Sequence, residues 1–290
     1  MYECYGTSNP LYGVLRFDIL GRNMIVTARQ ARVAIKTAPA QLRRADAAMQ
    51  LRCKYGNSIK FWLDVNSEPY VAGDTLHYIS DRSGNGMYLT QSVLSKRPRI
   101  AYTSGIKGIQ FDGVDDDIVT AAALNFVAFS GETIAIICEH TNAAVNASIV
   151  HHGTTTGSFS RLWIKNDAFG PTRTTYDSTI SASSYTFYNV APSPSGGWMH
   201  RATVMDTTAA SLNTSIKTYY SASVIANYST STVGSLPTPL PEGKLYVGSL
   251  AGSGQYFTKS ISQVAIFNRA LTVAEISETY ELLSRRAGTR

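Results

Sequence analysis

Residues 108–116 read Gly-Ile-Gln-Phe-Asp-Gly-Val-Asp-Asp and join a short β-type run to a tight acidic turn. Alternation along the run points Phe111 inward, and the Asp-Gly pair that follows is typical of a turn. Runs of this kind recur from residue 60 onward, separated by Gly, Asn, Asp and Ser. Many short strands with almost no helix between them predict an antiparallel β-sandwich. The other runs include 60–64, 100–102, 133–138, 147–150, 161–165, 185–188, 198–204, 217–220, 244–247 and 263–267.

Three features refine this sandwich. Residues 81–86 read Asp-Arg-Ser-Gly-Asn-Gly, in which the Asx side chains and the glycines predict a turn. Trp198 and Phe267 are expected to fill the space between the two sheets. Residues 272–275, Thr-Val-Ala-Glu, form a capping box that starts a C-terminal helix. The apolar face predicted for that helix is Val273, Ile276, Tyr280 and Leu283.

The N-terminal segment differs in charge from the rest of the chain. Residues 1–60 carry ten Lys/Arg against three Asp/Glu, a net charge of +7, whereas the remainder is close to neutral. We expect a strand-turn-strand over 13–35, then a helix over 37–52 whose apolar stripe is Leu42, Ala45 and Met49. Residues 1–58 are therefore predicted to be a basic anchoring arm, ahead of a domain at 59–290. A solvated charged face is the alternative. The candidate docking residues are Arg29, Arg32, Arg43, Arg44 and Arg52.

Composition excludes some classes of protein. The chain has 290 residues, of which 44% are hydrophobic and 10% aromatic, too many for a disordered protein. No apolar stretch approaches the ~18 residues of a membrane span. The first residues lack a basic segment followed by an apolar one, so we expect no cleaved secretion signal. Because Cys4, Cys53 and Cys138 are odd in number and widely spaced, free thiols are expected.

Several short segments, each present once, follow one another in a characteristic order over residues 60–285. They are Phe61-Trp-Leu-Asp64, Ser80-Asp-Arg-Ser-Gly-Asn-Gly86, Ser95-Lys-Arg-Pro98, the 108–116 stretch, Gly131-Glu-Thr-Ile-Ala-Ile136, Gly197-Trp-Met-His-Arg-Ala202, Leu245-Tyr-Val-Gly248 and Ile266-Phe-Asn-Arg-Ala-Leu-Thr-Val-Ala-Glu-Ile276. This ordered set resembles the LamG-like, concanavalin A-like jelly-roll family, in the version common in bacteriophage virion proteins. The resemblance implies an antiparallel jelly-roll sandwich, loops that often bind Ca²⁺, and a lectin-like surface.

The sequence shows little sign of catalysis. Glycoside hydrolases on this fold place two carboxylates on one strand, facing the cleft, and no Glu-x-Asp-x-Glu or similar pair lies on a predicted strand. Glu132 and Glu139 flank a strand rather than alternate within it. Neighbours on a strand point to opposite faces, so His151 and His152 would not share a metal. We therefore expect no enzyme activity.

Two kinds of binding residue remain. The run Asp115, Asp116 and Asp117 is the best candidate for a metal, as a calcium-binding loop, although Asp-rich turns also arise for conformational reasons alone. No other cofactor is expected. An excess of tyrosines is compatible with sugar binding, but packing in the core or at sheet edges explains most of them, and the sequence does not place a glycan site. These tyrosines are Tyr176, Tyr185, Tyr188, Tyr219, Tyr220 and Tyr228.

The leading hypothesis from the sequence is a bacteriophage virion protein. Its basic arm would anchor it to capsid or tail proteins, in several copies or as a homo-oligomer, while the jelly roll faces outward as a head decoration or short appendage. The protein would then be made in the host cytoplasm and localise to the virion. The alternative is an adhesin that binds a host surface glycan, and a polysaccharide-degrading enzyme comes third. Nucleic acid is disfavoured as a partner because the arm lacks interleaved aromatic residues.

Overall fold

The computed structural model describes residues 14–19, 22–27, 40–124, 131–139, 147–153, 160–167, 170–178, 183–189, 197–206, 208, 216–220, 223–224, 227–229, 243–250 and 254–288. Two α-helices are described, α1 (Ala40–Tyr55) and α2 (Val273–Ala287). The strands are β1 (Val14–Ile19), β2 (Arg22–Thr27), β3 (Ile59–Asp64), β4 (Tyr78–Ser80), β5 (Tyr88–Thr90), β6 (Arg99–Thr103), β7 (Ile106–Gln110), β8 (Ile118–Thr120), β9 (Gly131–Glu139), β10 (Ala147–Gly153), β11 (Ser160–Asp167), β12 (Gly170–Ser178), β13 (Ser183–Asn189), β14 (Trp198–Asp206), β15 (Ile216–Tyr220), β16 (Ser223–Val224), β17 (Asn227–Ser229), β18 (Lys244–Val247) and β19 (Ser260–Phe267).

The strands from β3 onward form two antiparallel sheets. One has nine strands in the order β17-β13-β12-β11-β10-β18-β8-β5-β4. The other has eight strands, seven of them in the order β16-β15-β14-β9-β19-β7-β6, and the eighth, β3, pairs with β19 outside this path. Neighbours distant in sequence, such as β9 and β19, show that the chain crosses repeatedly between the sheets. The predicted antiparallel jelly-roll sandwich is therefore confirmed, whereas β1 and β2 form a hairpin sheet of their own.

The main hydrophobic core lies between the two sheets. Ile134, Ile136 and Cys138 of β9 alternate into it, as the period of two along a strand requires. The nine-stranded sheet contributes Ile79, Leu89, Ile118, Ile149 and Leu245, all buried. Phe111 is also buried here, with its ring centroid 6.2 Å from that of Phe257, so the inward position predicted for it is confirmed.

A second hydrophobic cluster covers the opposite face of the eight-stranded sheet. Ala135, Ile137 and Ala265, which alternate with the core residues, belong to this cluster together with residues of the two helices. Helix α1 buries Ala47, Leu51 and Tyr55, and α2 buries Ile276, Leu282 and Leu283. The helical part of the basic arm therefore packs on the chain's own sandwich. Of the predicted stripe, Met49 is only partly buried, and the side chains of Leu42 and Ala45 lie outside the described part.

The helix layer corrects the placement of two aromatic residues. Phe267 is fully buried, but it lies in the helix-facing cluster, where its ring is 5.0 Å from that of Tyr55. Trp198 packs against the same cluster and donates its indole N–H to the Thr103 carbonyl over 2.9 Å. The prediction that both fill the space between the sheets was wrong because both faces of this sheet are covered.

Helix α2 begins and ends with specific caps. Thr272 Oγ1 accepts the Glu275 N–H, and the Glu275 carboxylate accepts the Thr272 N–H, so the predicted capping box is confirmed. The Arg269 guanidinium also binds this carboxylate and lowers the pKa of Glu275 to about 2. Gly288 ends the helix in the left-handed conformation, with φ of 89°. The predicted apolar face was wrong for Val273, which lies in the first turn of the helix and is exposed.

The cysteines differ from one another. Cys138 is a free, buried thiol whose pKa burial raises to about 12. Cys53 is disulfide-bonded, so the expectation of free thiols was wrong for this residue. An odd count requires only that one thiol stay unpaired, and separation in sequence does not limit which cysteines meet in the fold. Neither described helix has the length and apolarity needed to cross a bilayer.

Candidate functional site

Three carboxylates converge on the turn that follows Phe111. The oxygens of Asp112, Asp115 and Asp116 lie within 4.8 Å of one another. Gly113, at φ of +81°, folds the turn back, and Asp112 Oδ1 accepts the Val114 N–H over 2.8 Å. Asp116 Oδ2 accepts the Asp112 N–H over 3.0 Å. This protruding acidic turn (Asp112–Asp116) is the one group of three or more His, Cys, Asp or Glu in the described residues that is close enough to hold a cation.

Asp117 turns away from the acidic turn. Its carboxylate accepts hydrogen bonds from the Gln91 amide and from Ser249 Oγ, the latter over 3.1 Å. Burial raises the pKa of Asp117, and these two hydrogen bonds oppose the increase. The structure therefore brings together two of the three aspartates that the sequence indicated and adds Asp112. An Asp-Gly turn immediately before the run was the sequence signal that could have found it.

The donor set of the acidic turn suits a hard cation. Calcium binds carboxylate oxygens at about 2.3–2.6 Å, so its ligand oxygens lie at most about 5 Å apart, and the observed separation satisfies this limit. Burial, and to a lesser extent the charges of Asp112 and Asp115, raise the pKa of Asp116 to about 6. A bound cation would offset this repulsion, and these three aspartates are the residues that would hold it.

A buried histidine–glutamate pair links the two sheets. His152 Nδ1 of β10 lies 2.8 Å from Glu132 Oε1 of β9, and both side chains are fully buried. His152 Nε2 lies 3.2 Å from the carbonyl oxygen of Gly243. A carbonyl only accepts hydrogen bonds, so Nε2 must carry a proton. His151 points to the other face of the sheet, where its ring is 5.7 Å from that of Tyr246, as expected for neighbours on a strand.

The two glutamates of β9 do not form a hydrolytic pair. Glu132 and Glu139 are seven residues apart, which on an extended strand is about 23 Å. Two carboxylates that act on one glycosidic bond lie about 5–10 Å apart. Their partners also differ, because Glu139 Oε2 accepts the Ser260 N–H over 3.1 Å, whereas Glu132 contacts His152.

The tyrosines noted in the sequence differ in where they lie in the structure. Tyr219 is buried in the helix-facing cluster and is not available to a sugar, which agrees with core packing as the explanation for this residue. Tyr176 lies opposite Tyr185, and Tyr188 opposite Tyr228, in the backbone register of β12, β13 and β17. The side chains of these four, and of Tyr220, lie outside the described part. Two exposed tyrosines that the sequence did not single out, Tyr78 and Tyr88, lie on β4 and β5.

One of the five candidate docking arginines can be placed fully. Arg52 is exposed on α1, and its guanidinium donates to the Arg82 carbonyl, through Nε over 2.7 Å. It therefore ties the helix to the 81–86 turn. That turn forms as predicted, because Asp81 Oδ1 accepts the Ser83 N–H and Gly84 and Gly86 have positive φ. Arg29 and Arg32 lie outside the described residues, as do the side chains of Arg43 and Arg44.

Solved structures with a similar fold include several carbohydrate-active proteins. Trypanosoma rangeli sialidase superposes with a TM-score of 0.56 at 13% identity, over 94% of this chain and 42% of the sialidase. This chain thus spans less than half the length of the sialidases it matches. Domain 4 of AbnA, a GH43 extracellular arabinanase from Geobacillus stearothermophilus solved with arabinotriose, gives 0.53 at 14% identity, over 77% of this chain and 98% of that domain. The binding domain of Botulinum neurotoxin DC gives 0.54 at 10% identity, over 79% and 52%.

Sequence comparison places the chain in a family. Comparison with curated proteins gives no match. A family profile described as the Concanavalin A-like lectin/glucanases superfamily matches residues 112–277, which is more than half of the chain. The matched range begins at the acidic turn and ends within helix α2, so it contains most of the sandwich. The chain belongs to the concanavalin A-like lectin/glucanase superfamily.

Proposed function

We propose that this protein binds carbohydrate through its jelly roll and does not cleave it. The observation that supports this most directly is the similarity to domain 4 of the arabinanase, because this chain covers 98% of a domain that was solved with arabinotriose. A botulinum neurotoxin with the same fold, described as interacting with two ganglioside molecules, also matches, with a TM-score of 0.52 at 10% identity. In both cases a protein with a similar fold is described together with a carbohydrate or a glycolipid.

The arrangement of carboxylates supports binding without hydrolysis. Glu132 and Glu139 are too far apart to act together. The acidic turn does bring carboxylates as close as a retaining glycosidase requires, about 5–5.5 Å. However, its Val114 is 70% exposed, so the turn protrudes into solvent, and a glycosidase instead distorts its substrate between flanking groups.

We expect the purified protein to bind at least one oligosaccharide on a glycan array and to leave it intact. Isothermal titration calorimetry gives the affinity, and an assay for new reducing ends after prolonged incubation detects cleavage. The Asp116→Asn variant, which removes one carboxylate of the acidic turn, is assayed in parallel as the control for hydrolysis by that turn. Reducing ends that accumulate with wild type but not with Asp116→Asn would contradict the proposal, as would the absence of binding to every glycan tested.

We further propose that the acidic turn binds Ca²⁺ and that the ion stabilises the turn. We expect millimolar CaCl₂ to raise the melting temperature at pH 7.5 and Asp112→Asn to abolish this increase. Because the pKa of Asp116 is raised to about 6, protons compete with the ion below that pH, so the stabilisation weakens toward pH 5. Asp74→Asn, which removes a carboxylate elsewhere on the surface, is the control. Equal responses of wild type and Asp112→Asn would contradict the site.

We propose a place on a bacteriophage virion for this domain, with the basic N-terminal segment as its anchor to capsid or tail. The supporting observations are the ordered motifs of the phage-type jelly roll and the +7 charge of residues 1–60. We expect mass spectrometry of purified particles to detect the protein in several copies, and immuno-gold labelling to place it on the head or tail. Its absence from particles that infect normally would contradict this role.

A further inference from the structure

Two tyrosines whose rings are tilted toward each other form an exposed pair at one edge of the nine-stranded sheet. Tyr78 of β4 pairs with Thr90 of β5, and Ser80 pairs with Tyr88, so the tyrosines are diagonal neighbours. Their ring centroids are 5.1 Å apart with an interplanar angle of 33°. Tyr78 is 41% exposed and Tyr88 is 38% exposed, although each ring partly covers the other.

The pair lies on the outer face of the sheet. Ile79, between Tyr78 and Ser80, and Leu89, between Tyr88 and Thr90, are both buried in the core between the sheets. Alternation along a strand therefore directs the tyrosines and the two hydroxyl residues away from that core. The result is a small surface on which two aromatic rings and two hydroxyls alternate.

The chain around this surface is held by hydrogen bonds. The Tyr70 hydroxyl donates to the Tyr78 carbonyl over 2.7 Å, and Thr90 Oγ1 donates to the His77 carbonyl over 3.0 Å. Ser80 Oγ lies 3.4 Å from the Tyr78 hydroxyl. Since the two rings already contact each other and β4 is fixed against β5, a ligand would order few side chains on binding.

We propose that Tyr78 and Tyr88 form a platform on which the apolar face of a sugar ring stacks, with Ser80 and Thr90 close to its hydroxyls. This inference rests on the proposed carbohydrate function and gives that function a site. The electron-rich face of a tyrosine ring attracts the weakly positive C–H groups of a sugar, and a ring that carries a hydroxyl can also hydrogen-bond.

The size of the platform fits one or two sugar rings. Along the same row of paired residues, Thr90 is followed by Val119 of β8 and then by Tyr246 of β18, which is buried. The accessible row thus spans about two strand spacings, or ~10 Å. The tyrosines themselves expose about 80 Å² each, taking ~200 Å² as the area of such a side chain. A stable protein interface buries about 800 Å² on each partner, so a second copy of the chain is a poorer occupant.

The test compares the full-length protein with single variants on an oligosaccharide array that includes arabinotriose and sialyllactose. The oligosaccharide that wild type binds most tightly on the array is then titrated into each protein by isothermal titration calorimetry. We expect Tyr78→Ala and Tyr88→Ala each to lower the association constant about tenfold or more, and Tyr78→Phe and Tyr88→Phe, which keep the rings, to lower it less than threefold. Tyr102→Ala is the matched control, because Tyr102 is 56% exposed on β6 of the other sheet and should leave binding unchanged.

The outcomes separate the site from the function. If wild type binds an oligosaccharide and the two alanine variants bind it equally well, the platform is wrong and the carbohydrate function stands. If wild type binds no oligosaccharide on the array, both are wrong. Thermal melts show whether each variant is folded. Light scattering shows whether wild type self-associates, and a dimer that Tyr78→Ala dissociates would overturn the sugar site in favour of a second copy.

Discussion

Replacing His152 by alanine is expected to lower the free energy of unfolding by about 3–5 kcal/mol. The substitution leaves the buried Glu132 carboxylate without the imidazole that lies 2.8 Å from it. Removing one partner of a buried pair destabilises a protein by about this amount, because the remaining charge stays in a region of low dielectric constant. Urea denaturation followed by circular dichroism measures the change.

Two variants of Glu132 separate the effect of removing its charge from the effect of removing its side chain. Glu132→Ala should be as damaging as His152→Ala, whereas Glu132→Gln should be milder, because its amide N–H can donate to Nδ1 of His152. His77→Ala, at an exposed histidine, is the matched control and should change stability by less than about 0.5 kcal/mol. Equal stability of wild type and His152→Ala would show that the pair does not hold the sheets together.

Gly248→Ala is expected to destabilise the protein by about 2–5 kcal/mol. Gly248 has φ of +90°, and a Cβ there would lie 2.3 Å from Cδ1 of the Phe111 ring. The left-handed conformation costs a residue with a Cβ about 1–2 kcal/mol, and overpacking a core costs about 1–3 kcal/mol more. Phe111 cannot move freely, because it packs against Phe257 in the core. The same urea denaturation measures the loss.

The control for this substitution is Gly84→Ala. Gly84 has a similar φ of +98°, but nothing lies within 4 Å of the position of its Cβ. Only the backbone strain remains, so we expect a loss of about 1–2 kcal/mol. Equal effects at both glycines would mean that the ring of Phe111 relaxes at no cost.

Local patterns predicted those parts of the fold that depend on short stretches of chain. The capping box of Thr272 and Glu275, the inward Phe111 and the 81–86 turn each rest on a few neighbouring residues, and each forms as predicted. The succession of short strand-like runs predicted the antiparallel sandwich, and the resemblance specified its jelly-roll form. Local patterns predicted both helices, but not that they pack together as one layer, because this packing requires residues 40–55 to meet residues 273–287 across the whole sequence.

The helix layer also explains the misplaced aromatic residues. Every residue of β19 is buried, so alternation assigns its residues to two faces without indicating which face meets the other sheet. Phe267 and Val264 are equally apolar, yet Phe267 faces the helices and Val264 the opposing sheet. The prediction of which aspartates cluster was wrong at one position for a related reason, because the alternation of a strand does not apply in a loop. The turn at Gly113, which has a positive φ, brings Asp112 rather than Asp117 close to Asp115 and Asp116.

Helices α1 and α2 run antiparallel, which determines where the polypeptide enters and leaves the domain. Tyr55, at the end of α1, donates its hydroxyl to the Glu275 carbonyl in the first turn of α2, while Arg285, near the end of α2, contacts Gln50. The entry point at Ala40 and the exit point at Gly288 therefore lie toward the same end of the helix pair. A fluorescent label attached after Gly288 would therefore lie close to any surface to which the chain is attached ahead of Ala40. The nine-stranded sheet lies on the opposite side of the sandwich from the helices.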